Sequence, residues 1–233
     1  MNVRPADWTR PLALGRLYGL AGEIFRDEFS PLARAWADSW ETVQAFGAEF
    51  VSRDLSGALL HAMEEARRNA PSAAAERSRL LLLGDCPAYE TAYAHPFSRQ
   101  RELADISGFY RAFGVQIEGE RPDHLAVECE FASLLCTKEA IAGASGREEE
   151  RVTTRRARAA FLSDHLGTWL PLYAEDLRAR TRLPLLGAAV AVIHALVMSD
   201  AADLEVVLHD RERPAAEERS VPLACGPSAV GAS

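Results

Sequence analysis

The sequence predicts an all-α protein that folds as one helical bundle. Apolar residues recur at spacings of three and four along most of the 233 residues, and strand signals are nearly absent. A hydrophobic content of 48% is enough to bury one full core. We therefore expect a single helical domain over residues 1–210. The residues that follow, 211–233, are poor in large apolar side chains and rich in Pro, Gly and Ser, which predicts a disordered tail.

Three amphipathic helices are predicted in the N-terminal part of the chain. Leu14, Leu17 and Tyr18 lie at helical spacing in the first, Ser30-Pro31 follows it, and Asn69-Ala70-Pro71 ends the third. These helices are predicted over residues 11–29, 32–50 and 55–68, and a short helical run then ends at residue 83.

An ordered loop and four further helical segments are predicted in the rest of the domain. Residues 84–100 are rich in Gly, Pro and aromatic side chains and show no stable period, which is typical of a loop. Gly114 suits the left-handed position that ends a helix, and Pro184 is expected to interrupt the last segment. The helices are predicted over residues 99–113, 122–142, 148–169 and 171–199.

Composition excludes several classes of function. A net charge of −8 argues against nucleic-acid binding, which relies on a basic surface. No apolar run reaches membrane-spanning length, since 183–198 is short and contains Pro184 and His194, so we predict a buried helix and no membrane insertion. The first 25 residues are interrupted by charges and do not resemble a secretion signal, which predicts a cytoplasmic protein.

The four cysteines are predicted to be reduced and packed. They show no C-x-x-C spacing, and Cys129 and Cys136 lie two turns apart on one helix face. Cys86 is in the predicted loop, where a nucleophilic role is conceivable, but a lone cysteine is more often inert.

The residues that open the helix predicted at 122 are the most informative of the chain. Pro122 suits a first helical position, and Asp123 would lie at the positive end of the helix dipole. His124 and Glu128 are one turn apart at the edge of an apolar stripe, so they could be metal ligands, an acid and base pair, or residues that cap and brace helices. The chain has no paired Glu-x-x-His motif, Walker loop, G-x-G-x-x-G or G-x-S-x-G sequence, and we therefore expect no catalytic residues and no bound cofactor or metal.

A second group of candidates lies in the predicted loop. Tyr89, Tyr93 and Phe97 surround Glu90, and such a loop either plugs a core or lines a groove for a peptide. His165 and Trp169 form another pair one turn apart on a later helix.

Three motifs in order resemble those of the TorD/DmsD/NarJ-like chaperones, the nitrate reductase delta-subunit family. The segment 120–124, Glu-Arg-Pro-Asp-His, is similar to the family's Glu-x-Pro-x-Asp-His pattern, here with the proline directly before the aspartate. The segment 89–93 resembles the Tyr-Glu-Ser-x-Tyr loop, and 161–171 resembles the His-Leu-x-x-Trp-x-Pro ending. The likeness covers about residues 10–205. It is closer to delta subunits encoded with type II enzymes, such as ethylbenzene dehydrogenase, dimethylsulfide dehydrogenase, and selenate and chlorate reductases.

This resemblance implies a non-catalytic, TorD-like helical protein. It would bind the immature molybdenum-containing catalytic subunit of a dimethyl sulfoxide reductase family enzyme, and in many relatives it also holds the twin-arginine leader. An acidic groove suits an arginine-bearing peptide. A metal-dependent helical enzyme and a plain helical scaffold remain the alternatives. The residues that we predict to bind the client or its leader, mostly at the edge of a pocket, are Tyr89, Glu90, Tyr93, Tyr110, Asp123, His124, Glu128, His165 and Trp169.

Overall fold

The computed structural model describes residues 8–26, 53–82, 84 and 86–213, and in these ranges the prediction of an all-α bundle is confirmed. The described residues form seven α-helices and no strand. The predicted helix over 32–50 lies outside them. The helices are α1 (Thr9–Glu23), α2 (Arg53–Arg77), α3 (Arg99–Ala112), α4 (Leu125–Ala144), α5 (Glu148–Phe161), α6 (Gly167–Arg180) and α7 (Pro184–Leu204).

Helices α1 and α4 approach each other closely because small residues line their contact. Gly15 and Gly22 of α1 face Cys136 and Cys129 of α4, and a Cβ atom built on Gly22 would lie 2.8 Å from the Cys129 Cβ. Ser133 Oγ donates a hydrogen bond to the Gly15 carbonyl oxygen across the same contact, at 2.6 Å. The first helix is thereby seated directly on the backbone of the helix that carries the candidate residues.

Helix α7 is the apolar centre of the bundle. It packs against α2, α6 and α1, and residues such as Leu186, Val190, Ile193 and Leu196 are fully buried. At 21 residues it is longer than predicted, and its length and composition alone would let it cross a membrane. However, 67% of its most apolar stretch is buried against the other described helices, as expected for a core helix.

Several predicted boundaries are wrong, and prolines explain two of them. Helix α2 continues through Pro71 to Arg77, and α6 contains Pro171. Pro171 lies near the start of α6, where a missing N–H costs less than in the middle of a helix, and a π turn over Leu162–Leu166 precedes this helix. The interruption at Pro184 is confirmed, since α6 ends at Arg180 and Pro184 starts α7.

Two predictions about loop geometry have different outcomes. Gly114 has a φ of 73°, so the left-handed residue after α3 is confirmed. The predicted loop over 84–100 is ordered where the structure describes it, but it contains a short 3₁₀ helix at Glu90–Tyr93, and a π turn at Ser78–Leu82 precedes it.

Candidate functional site

The loop motif and the start of α4 are joined backbone to backbone. The Leu125 N–H donates to the Ala88 carbonyl oxygen, and the Glu90 N–H donates to the Asp123 carbonyl oxygen, each at 2.9 Å. Tyr89 and His124 therefore lie opposite each other in an isolated antiparallel bridge. Two motifs that are more than 30 residues apart in the chain form one local structure.

His124, and not Pro122, begins the helix. His124 has extended backbone angles, and its Nδ1 accepts a hydrogen bond from the Ala126 N–H at 3.2 Å, which makes it the N-cap of α4. Pro122 and Asp123 form a turn before it. The prediction that α4 starts at Pro122 is wrong because the Asp123 backbone is engaged in pairing with Glu90.

The Asp123 carboxylate is the centre of a buried hydrogen-bond cluster. Asp123 is fully buried and accepts hydrogen bonds from the Thr91 N–H at 3.2 Å and from Thr91 Oγ1 at 2.6 Å. Arg121 Nε and Nη2 donate to its two oxygens at 2.9 Å each. The Arg121 guanidinium also stacks over the Tyr89 ring, with its central carbon 4.4 Å from the ring centroid. Asp123 thus ties the 3₁₀ helix to the turn before α4.

Glu90 binds two cationic or protonatable side chains from distant parts of the chain. His165 Nδ1 lies 3.1 Å from Glu90 Oε2, and Arg211 Nη2 donates to Glu90 Oε1 at 2.8 Å. The π turn places His165 on the inner side of the helical segment that leads into α6, and π turns often occur at functional sites. Glu90 and His165 are buried, with 0% and 2% of their surface exposed.

Glu128 is buried beside Trp169. The Trp169 indole N–H donates to Glu128 Oε2 at 3.1 Å, while Glu128 Oε1 has no hydrogen-bond partner among the described residues. Burial raises the pKa of Glu128 well above its usual range, and the nearby negative charge of Glu90 adds to the rise. Burial thus disfavours ionisation of Glu128, and the side chain is not exposed to a ligand.

The two remaining tyrosines are core residues. The Tyr93 ring stacks on Trp169 with a centroid distance of 5.6 Å, and the Tyr110 hydroxyl donates to the Pro122 carbonyl oxygen at 2.6 Å. Both side chains are nearly inaccessible to solvent.

The structure brings all nine predicted residues into one region but does not place them at the edge of an open pocket. Eight of them are buried, and only Tyr89 is half-buried. The expectation of pocket-edge carboxylates is wrong for this conformation, because Asp123 is paired with Arg121, Glu90 with Arg211, and Glu128 is hydrogen-bonded to Trp169.

Arg211 is not among the predicted site residues. It lies in the segment predicted to be a disordered tail, yet its side chain is only 17% exposed and also donates to Glu102 at 2.6 Å. Arg213 contacts Glu175 and Asp176. Residues 214–233 of the predicted tail lie outside the described part, and the domain boundary stays a prediction. Nothing local marks Arg211, since its partner Glu90 precedes it by 121 residues.

A second polar cluster, centred on Arg158, was also missed. Arg158 of α5 is fully buried, and its guanidinium faces Glu139 and Asp200 at 3.4 Å each. Tyr18 donates to Asp200 at 3.2 Å, and Arg158 donates to Cys136 Sγ at 3.2 Å. Burial raises the pKa of Asp200 to about 6. These contacts link α1, α4, α5 and α7.

Metal and thiol chemistry find no support in the geometry of the described residues. No three His, Cys, Asp or Glu side chains there converge as a possible metal-ligand set. Cys86, Cys129 and Cys136 are buried, as predicted for packed thiols, while Cys225 is outside the described residues. Burial raises the pKa of Cys129 well above its usual range and that of Cys136 to about 12, so neither is a ready thiolate.

A known protein family matches the part of the chain that contains the joined motifs. A family model described as nitrate reductase delta subunit matches residues 28–175, which is more than half of the chain. The chain belongs to this family. The match includes the bridge between Tyr89 and His124 and the His165 to Trp169 segment, so the buried cluster lies inside the region that defines family membership.

Curated relatives of the delta-subunit family member are named as chaperones. The selenate reductase assembly chaperone protein of Thauera selenatis is 37% identical over 94 residues, which is 39% of this chain and 48% of the relative. The chlorate reductase assembly chaperone protein of Ideonella dechloratans is 39% identical over 80 residues, covering 33% of this chain and 40% of the relative. Chaperone protein TorD of Photobacterium profundum is 34% identical over 85 residues, or 36% and 38% of the two chains. Each match spans less than half of the relative.

Proposed function

We propose that this protein is a system-specific, non-catalytic chaperone. It would bind the immature molybdenum-containing catalytic subunit of an oxidoreductase of the dimethyl sulfoxide reductase family in the cytoplasm, and would assist cofactor insertion and assembly before export. The observation that carries the proposal is the family match over residues 28–175, together with relatives named as assembly chaperones of selenate, chlorate and perchlorate reductases.

The test is deletion of this protein in a host that makes the client. A client that needs the chaperone should accumulate with little molybdenum cofactor and low activity, and expression of the chaperone should restore both. A client with its full cofactor content in the deletion strain would contradict the proposal. Metal analysis of the purified chaperone is a second measurement, because a stoichiometric bound ion would favour the alternative of a metal-dependent enzyme.

The contact with the client is proposed to lie on the exposed side of the 89–98 segment. Tyr89 is half-buried, and Phe97 is 94% exposed, although it is a large apolar side chain on an otherwise anchored loop. In this proposal the buried residues among the nine candidates act indirectly, by fixing the position of this segment. Plain scaffolding would not require Phe97 to face solvent.

Substitution of Phe97 tests that contact. Phe97→Ser should reduce client maturation while the melting temperature stays nearly constant, because an exposed side chain contributes little to folding. Leu60→Ser is the matched control, since Leu60 is an apolar residue on α2 that is 51% exposed. Equal maturation by wild type and Phe97→Ser would place the contact elsewhere.

Binding of a twin-arginine leader is a finer part of the proposal. The net charge of −8 favours an arginine-bearing peptide, and such binding should weaken as salt rises. Calorimetry with the client's leader at two ionic strengths measures this. An affinity that salt does not change would argue against an acidic leader site, and would leave binding to the body of the client intact.

A further inference from the structure

The end of the described chain is a segment over residues 206–213, which we call the strap. It follows α7 and has no regular secondary structure. The Val206 N–H donates to the Ala201 carbonyl oxygen, and the Arg211 N–H donates to the Thr168 carbonyl oxygen, each at 2.9 Å. The strap therefore runs from the end of α7 to the start of α6, beside the Glu90 and His165 pair.

The recess that receives Arg211 is built from groups suited to a guanidinium. Glu90, at its floor, is fully buried, and Arg211 Nη2 lies 2.8 Å from its Oε1. Glu102 of α3 accepts from the other terminal nitrogen at 2.6 Å, and Thr168 Oγ1 lies 3.3 Å from Nη2. Two carboxylates and a hydroxyl from three elements thus converge on one arginine, in a geometry that favours charge-assisted hydrogen bonds.

A second arginine, two residues later, binds at the surface. Arg213 Nη1 and Nη2 lie 2.8 Å from Asp176 and 2.7 Å from Glu175, both on α6. Arg211 and Arg213 therefore both contact the helical bundle, although they are only two residues apart. The four carboxylates form an acidic surface for a peptide with two arginines at that spacing.

Among the described residues, several side chains of the strap are open to solvent, which favours its displacement. Leu208 packs against Gly167, where a Cβ atom would lie 2.9 Å from its Cδ2, but Val207 is 71% exposed and His209 and Asp210 are also exposed. The Arg213 pairs are partly open to water, where salt screens them. Glu90, by contrast, is fully buried, and its negative charge helps to raise the pKa of the neighbouring Glu128. A recess with such a buried carboxylate favours an occupant that brings positive charge.

We propose that the strap is an internal ligand that occupies an acidic surface formed by Glu90, Glu102, Glu175 and Asp176, and that an extended client segment carrying arginines displaces it. This inference rests on the proposed chaperone function. Because the strap is tethered, its effective concentration at the surface is on the order of millimolar. The apparent affinity for an external peptide is the intrinsic affinity multiplied by the fraction of molecules in which the strap is displaced. The strap would thus prevent binding of low-affinity peptides, while high-affinity peptides would displace it.

The test measures binding of a labelled peptide of residues 206–213, VVLHDRER, to the full-length chain by fluorescence anisotropy. The variant Arg211→Ala/Arg213→Ala removes the competing arginines, and we expect it to bind the peptide about 10-fold or more tightly than wild type does. Arg213→Ala alone should give a smaller gain, and it keeps the Glu90 pairing if the double variant is unstable. Arg156→Ala, which removes an exposed arginine of α5, is the matched control and should bind as wild type does.

Two further measurements identify the surface. A peptide with both arginines replaced by glutamine should not bind, and Glu102→Gln in the double-variant background should weaken binding of the original peptide. Equal affinity of wild type and the double variant, or no binding by either folded variant, would overturn the inference. Client maturation in the same strains separates the two proposals: normal maturation with no peptide binding refutes the internal ligand and leaves the chaperone function standing, whereas normal maturation without the protein refutes the chaperone function.

Discussion

Replacing Asp123 by alanine should destabilise the protein strongly, because its carboxylate holds two segments together inside the fold. The side chain is fully buried and accepts four hydrogen bonds, two from Thr91 and two from Arg121. Thr91 is itself 1% exposed, so without Asp123 its N–H loses its acceptor in a place that water does not reach. The Arg121 side chain is 36% exposed and can be hydrated again.

The expected loss follows from these differences in burial. An unsatisfied buried donor costs about 1–3 kcal/mol, and we assign most of the loss to the Thr91 N–H and hydroxyl, for a total of about 3 kcal/mol. The exposed pair with Arg121 adds at most about 1 kcal/mol. For a chain of this size, about 3 kcal/mol corresponds to a fall of roughly 6–12 °C in melting temperature.

Urea unfolding of Asp123→Ala and Asp123→Asn, together with client maturation, measures the effect. Asparagine keeps one oxygen as an acceptor for Thr91 and should cost less than alanine. A double-mutant cycle with Thr91→Val should show a coupling of about 1–3 kcal/mol, and Asp164→Ala, on the surface, should stay within about 0.5 kcal/mol of wild type. Unchanged stability of Asp123→Ala with loss of maturation would refute the bracing role and restore a direct binding role.

Three further outcomes follow from buried charge and close packing. Arg158→Met should lower the free energy of unfolding by about 3–5 kcal/mol in urea titrations at pH 7, because it leaves buried carboxylates without a positive partner. An unchanged free energy of unfolding would mean that these carboxylates are protonated. Since burial raises the Asp200 pKa from 3.8 to about 6, the folded state holds this proton more tightly, and stability should fall by roughly 3 kcal/mol as pH rises from about 4 to 6. Asp200→Asn should remove that part of the pH dependence, and an unchanged slope would exclude this group as its source. Gly22→Ala should lower the free energy of unfolding by about 1–3 kcal/mol, because the added methyl group clashes with Cys129. Gly57→Ala, at a position with open space, should leave stability unchanged or raise it. Equal effects of the two substitutions would contradict the close approach of α1 and α4.

The helices could be predicted because their signals are local. The stripe that begins with Leu14 and Leu17, the left-handed Gly114 and the break at Pro184 each depend on a few neighbouring residues. The predicted helix boundary at Pro171 is wrong, because the π turn at Leu162–Leu166 depends on packing that is not visible in the local sequence.

The charged interior could not be predicted, because a charged residue in a sequence is normally expected to be exposed. Arg158 and Arg156 lie on the same arginine-rich helix, yet one is fully buried and the other is exposed. What separates them is the position of Asp200, 42 residues away, and periodicity carries no record of such a partner. The same holds for Arg211 and Glu90. The sequence therefore indicated which residues would lie together and not that they would be buried.

Because the motif residues are buried, the motifs indicate how the helices are joined and not which client is bound. The loop motif, the start of α4 and the π-turn segment contact one another through Glu90, Asp123 and His165, so a match to the three motifs reports a way of joining helices. Relatives that share this junction can still differ in what they bind, because the side chains that reach solvent, such as Phe97, are not part of it. Exchange of exposed residues on the 89–98 segment should therefore alter client preference. Exchange of the buried residues should instead lower the stability of the protein and so reduce maturation of every client alike.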